Sequence, residues 1–168
     1  KPGTYQVVVE NARARAGKWI ADPLRTIDFQ FAKGVQGWQS THHLAPLETD
    51  KGMLATTTTG GDPYMVHDGF VVATRPGDVL EVELTLALGP EPAPVAVFWG
   101  TAANPGLAPE RCLTGSCPTD GKPHTVRFPL GDHPHWREQT IVTLRLDPTA
   151  GPDNSPVRIR RIELKRAP

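Results

Sequence analysis

Apolar and polar side chains alternate along Asp78–Leu88. Leu80, Val82, Leu84, Leu86 and Leu88 fall in one phase, and Val79, Glu81, Glu83 and Thr85 in the other. A period of two over this length predicts a long strand with one face on a core and the other in water. Such a face needs a second apolar layer, and the remaining segments supply mostly strands. Gly3–Glu10 places Tyr5, Val7 and Val9 on one side, and Ile27–Phe31 does the same with Ile27, Phe29 and Phe31. Gly52–Thr59 is rich in β-branched residues, and Tyr64–Val66 and Phe70–Thr74 read as short strands. Val95–Thr101 is apolar on both faces, as expected of a central strand. His124–Leu130, Thr140–Asp147 and Pro156–Lys165 alternate again, with a slip of phase at Arg160-Arg161 that predicts a β-bulge.

The pattern yields about nine strands, no helix and no internal repeat, hence an all-β, jelly-roll-type sandwich. The first strand stands apart. Residues 1–24 read as an N-terminal strand and linker arm, and residues 25–168 as the sandwich domain. Trp38 and Trp99 sit in apolar surroundings and are expected in the core. Ala102–Pro123 carries no strand pattern and reads as a long loop.

Composition narrows the function. The 168 residues suit one domain with a substantial core, and 18 prolines and 16 glycines suit short strands and turns. Lys plus Arg and Asp plus Glu are equal at 18 each, so no net field points to nucleic acid or an anionic membrane. No apolar run approaches the roughly 20 residues that cross a bilayer as a helix, so membrane insertion is not expected. The chain starts at Lys1 and reads as a processed mature chain or a fragment of a longer one. The two cysteines, Cys112 and Cys117, are separated by four residues including a glycine. A small disulfide-closed loop is expected there, and with it an extracellular setting. No nucleophile elbow or phosphate loop occurs, and Glu81 and Glu83 read as outward charges of an amphipathic strand, so no enzyme is expected.

From Asp28 onward the landmarks resemble carbohydrate-binding, galactose-binding-like modules attached to secreted polysaccharide-degrading enzymes and sulfatases. The residues that carry this are Asp28-Phe29-Gln30-Phe31, Gly37-Trp38, Gly61-Asp62-Pro63-Tyr64 and Val97-Phe98-Trp99. They continue with His124–Leu130, His133-Pro134-His135-Trp136, Ile141–Pro148 and Val157–Leu164. The resemblance implies a non-catalytic module that attaches to a polysaccharide or cell-surface glycan. Aromatic faces and hydrogen-bonding side chains would hold the sugar, with Tyr64, Asp62 and Trp136 as the candidates, although the Trp136 landmark also suits packing. It further implies a structural calcium ion where the first and last strands meet, with Asp28 and Glu163 as carboxylate ligands. The paired histidines His42-His43 and His133/His135 are weak grounds for a metal.

Two further features bear on partners. Arg158, Arg160, Arg161, Lys165 and Arg166 make the last strand basic, which suits either acidic glycans or the protection of a sheet edge. The detached strand with Tyr5, Val7 and Val9 cannot stand alone. It could be donated to a neighbouring subunit, so the alternative reading is a filament subunit that self-associates head to tail.

Overall fold

A computed structural model describes residues 27–166 apart from residue 70. The proposed donor strand, with Tyr5, Val7 and Val9, lies outside the described residues. Among the described residues twelve strands run in chain order: β1 (Asp28–Gln30), β2 (Gln39–His42), β3 (Glu48–Asp50), β4 (Met53–Thr57), β5 (Tyr64–His67) and β6 (Val72–Ala73) come first. Then follow β7 (Val79–Leu86), β8 (Ala93–Thr101), β9 (Cys112–Cys117), β10 (Pro123–Phe128), β11 (Thr140–Asp147) and β12 (Pro156–Lys165).

They form two six-stranded sheets, and every pairing is antiparallel. The first sheet has the order β10-β7-β12-β4-β3, with β1 added on β12. The second has the order β2-β5-β11-β8-β9, with β6 added on β11. Their apolar faces pack together as a jelly-roll-class sandwich.

The alternation in β7 has the expected effect. Leu80, Val82, Leu84 and Leu86 are buried against the second sheet, while Val79, Glu81, Glu83 and Thr85 remain half-exposed. Leu88 breaks the rule. It lies beyond the strand and is 51% exposed, because the sheet ends before it. The phase slip in β12 is a bulge: Ile159 pairs with Leu84 and Arg161 with Glu83, so Arg160 is extra. The added residue returns Ile162 and Leu164 to the core.

The expected edge role of the basic β12 residues is overturned, since β12 lies between β7 and β4 in the interior of its sheet. Its cations are paired on the outer face instead: Arg158 with Asp50, Arg160 with Glu83, Lys165 with Glu163, and Arg161 with Glu81, Glu83 and Glu163.

The segment Ala102–Pro123 is not all loop, because β9 pairs along β8 within it. This removes the expected disulfide. Both cysteines are free, and they stand at opposite ends of β9, Cys112 opposite Phe98 and Cys117 opposite Ala93. Five steps of extended chain separate their Cα atoms by about 17 Å, where a disulfide tolerates about 7 Å at most. Five is also odd, so the two side chains leave the strand on opposite faces.

Trp38 and Trp99 are core residues, as expected. So is Trp136, whose ring is completely buried edge-on to Trp99 at 5.4 Å. Its Nε1–H donates to Oδ2 of the buried Asp78 at 3.0 Å. The same oxygen accepts the Arg75 backbone N–H at 2.8 Å. This is a correction to Trp136 as a ligand-binding residue. The polar loop around it is the outer wrapping of an indole that closes one end of the core.

Candidate ligand-binding face

The outer face of the second sheet is built by the phase opposite to the core. In β5, Met65 and His67 point inward, which leaves Tyr64 and Val66 outside. In β11, Leu144 and Leu146 are buried, while Arg145 and Asp147 point out. In β8, Val95, Val97 and Trp99 are buried, leaving Ala96 and Phe98 half-exposed. Register aligns these residues across the sheet. His42 faces Tyr64, Arg145 lies between Val66 and Phe98, and Ala96 lies between Asp147 and Thr114. A bulge between Ser40 and His42 sets the His42 ring over its partner.

A row of planar groups results. The Arg145 guanidinium carbon is 3.7 Å from the centre of the Tyr64 ring and 4.8 Å from that of Phe98. His42 stacks on the other side of Tyr64 at 5.3 Å and 18°, and the His43 ring follows at 3.7 Å. Cation–π contacts of this kind contribute about 0.5–2 kcal/mol each.

Two carboxylates fix the guanidinium. Asp147 accepts two hydrogen bonds, from Nε at 2.6 Å and from Nη2 at 2.7 Å, a bidentate fork. Asp62 accepts a third from Nη2 at 3.2 Å. These bonds, Asp147 first, raise the Arg145 pKa further, so its charge is permanent. Burial pushes the Asp147 carboxyl above the ordinary range, opposed by its bonds to Arg145. Beside the carboxylates lies an open depression of about 190 Å³, lined by Asp62, Pro63, Ala96, Thr114, Asp147 and Thr149 among others. Hydroxyl and carboxylate oxygens on an apolar floor can hold a polyhydroxylated ring by hydrogen bonds.

The structure thus brings Tyr64 and Asp62 to one face and withdraws Trp136 from it. Arg145, Asp147, Phe98 and His42 complete the cluster and were not singled out as ligand residues from the sequence. The signal for Arg145 and Asp147 was present, since they alternate with Leu144 and Leu146 in an otherwise apolar strand.

Asp28 and Glu163 are register partners at the β1–β12 junction, as their positions in the chain suggested. Their surroundings do not fit calcium. Glu163 is held by Arg161 and Lys165, and Asp28 accepts the Gln30 amide at 2.6 Å. The nearby Ile27 carbonyl is engaged by the Leu164 N–H. Calcium requires about six to eight oxygen ligands. Among the described residues no group of three or more His, Cys, Asp or Glu could hold a metal ion.

No protein-family model matches the sequence, and no curated protein matches it. Solved structures do match in three dimensions. A family 29 carbohydrate-binding module, CBM29-2, superposes with a TM-score of 0.54 at 7% identity, covering 84% of this chain and 90% of that one. A family 28 module described as specific for non-crystalline cellulose has a TM-score of 0.52 at 13% identity, covering 78% and 88%. PfGH50B has a TM-score of 0.56 at 11% identity over 78% of this chain, which spans only 22% of that protein. At these identities the likeness is one of fold: the chain folds as a β-sandwich like those of the two modules.

Proposed function

We propose that this domain is a non-catalytic carbohydrate-binding module that attaches to polysaccharide through the outer face of its second sheet. The observation that carries this reading is the Tyr64–Arg145–Phe98 stack flanked by Asp62, Asp147 and an open depression. Arginine with both its carboxylate partners, aromatic rings and threonine hydroxyls on one open surface suit a neutral, hydroxyl-rich chain. The matched modules add support at the level of fold. Such a role places the domain outside the cytoplasm, where polysaccharides are met.

The opposite face has depressions of about 270 Å³, beside Glu83, Thr85 and Arg160, and about 310 Å³, beside Glu48, Ala55 and Arg158, but their linings contain no aromatic ring. Its outward side chains are largely charged and mutually paired, as in Arg127 with Glu81 and Arg161 with Glu83.

Affinity electrophoresis against a panel of soluble polysaccharides tests the reading. The wild-type protein is expected to be retarded by at least one of them. Tyr64→Ala is expected to weaken that retention about tenfold or more, and Arg127→Ala on the opposite face to leave it unchanged. A folded protein retarded by no polysaccharide, or retention that survives Tyr64→Ala, would overturn it.

A further inference from the structure

The loop that delivers Asp62 is held by two histidines in opposite hydrogen-bonding roles. The Asp62 backbone N–H donates to His43 Nδ1 at 3.1 Å, so that nitrogen carries no proton. The Asp62 backbone carbonyl lies 2.8 Å from His42 Nδ1 and can only accept, so that nitrogen carries one. The two tautomers follow from the partners. Gly60 packs against the His43 ring so closely that an added Cβ would lie 2.6 Å from it. The His43 backbone is itself fixed, because its carbonyl accepts the Thr59 N–H at 2.8 Å.

We infer that His43 is a positioning residue for the ligand face, one that holds Asp62 against Arg145 only while its imidazole is neutral. This rests on the proposed glycan-binding role of that face. Imidazoles ordinarily gain a proton between about pH 8 and 5. A proton on His43 Nδ1 turns the acceptor into a donor facing the Asp62 N–H, and the bond is lost. A proton on His42 goes to Nε2 and leaves its bond to the Asp62 carbonyl intact.

The charged and titratable groups facing the pair come from four elements. The His42 ring, from β2, lies 3.7 Å from the His43 ring and is tilted 39° to it, and the Asp62 carboxylate, from the β4–β5 loop, lies 3.7 Å from His42 Nδ1. From β5 and β11, Tyr64 lies beyond His42, and Arg145 with Asp147 lies beyond Asp62. The latch is closed while His43 Nδ1 carries no proton and opens once it does.

The discriminating variant is His43→Asn. The residue has φ of 46°, a left-handed conformation that asparagine tolerates well. Its amide oxygen can accept the Asp62 N–H at every pH. Loss of one hydrogen bond corresponds to about a two- to tenfold change in an equilibrium.

Two measurements separate this inference from the reading beneath it. In a 15N-resolved NMR titration from pH 8 to 5 without glycan, the Asp62 amide signal is expected to shift with His43 ionisation in the wild type and to stay in place in His43→Asn. In retention by whichever polysaccharide the panel identifies, the wild-type dissociation constant is expected to rise two- to tenfold over the same range, and that of His43→Asn to stay flat. An unmoved wild-type amide, or identical pH profiles for the two proteins, overturns the latch. An amide that titrates in a protein retarded by no polysaccharide upholds the latch and overturns the glycan reading.

Discussion

Replacing Trp136 by Phe separates its place in the core from the ligand role that its sequence context suggested. The indole is fully buried, so nothing on the surface is removed. Two costs follow. Asp78, also fully buried, loses the Nε1–H that reaches its Oδ2 at 3.0 Å and keeps the Arg75 N–H at 2.8 Å on that oxygen. Leaving a buried polar group short of a partner costs about 1–3 kcal/mol. Shrinking the indole to a phenyl ring opens a void against Trp99, at about 1–2 kcal/mol. The expected loss is about 2–5 kcal/mol, a large part of the roughly 5–15 kcal/mol that typically holds a domain together. Urea unfolding followed by circular dichroism reads it as a lower midpoint at unchanged slope. Because the Asp78 contact is shared, Asp78→Ala and Trp136→Phe combined should fall short of the sum of the single losses by about 1 kcal/mol. The folded variant should keep its polysaccharide retention. Lost retention at an unchanged midpoint would refute the reasoning and return Trp136 to the binding surface.

The cysteines give a second test. Alkylation in denaturant without reductant should add two adducts by mass, whereas a disulfide would leave none. Burial pushes the Cys117 thiol from its ordinary value of 9.0 up to about 11. Its contribution to stability is therefore complete below about pH 9 and lost as the pH rises towards 11, because the unfolded thiol ionises first. Cys117→Ala should remove that part of the alkaline fall in urea midpoint, and an identical fall in both proteins would count against it. In the turn after β10, a Cβ on Gly131 would lie 2.3 Å from the Gly77 nitrogen and 2.4 Å from the Asp78 nitrogen, both backbone atoms that cannot rotate away. Gly131→Ala should cost about 3 kcal/mol by thermal or urea unfolding. Gly106→Ala, with nothing within 4 Å of the new Cβ, should be near neutral.

Much of the sandwich was legible because burial of a strand is written in its own alternation. The range of β11 and that of β12 coincide with the expected segments, and the bulge at Arg160-Arg161 showed as a slip in apolar phase. The strands that escaped notice are β2, β3 and β9. β2 and β3 are short and mostly polar, and β9 is a Cys-Leu-Thr-Gly-Ser-Cys segment with little apolar alternation. What makes each a strand is a partner's backbone. The same segment misled about its cysteines, since four intervening residues close a loop only if the chain turns, and pairing with β8 keeps it extended.

The candidate site shows the same division. Alternation alone places Tyr64 on one side of its strand, and Arg145 with Asp147 on one side of theirs. That Arg145 lies on the Tyr64 ring and reaches Asp62, 83 residues earlier, depends on which strands become neighbours and in what register. Apolar pattern is a local property, fixed by each residue and those two positions away. Register is a property of hydrogen bonds between distant segments, and many registers bury the same apolar face. The sequence by itself therefore determined the layers and their core, while tertiary structure decided which polar side chains meet on the outside, and so where a ligand can be held.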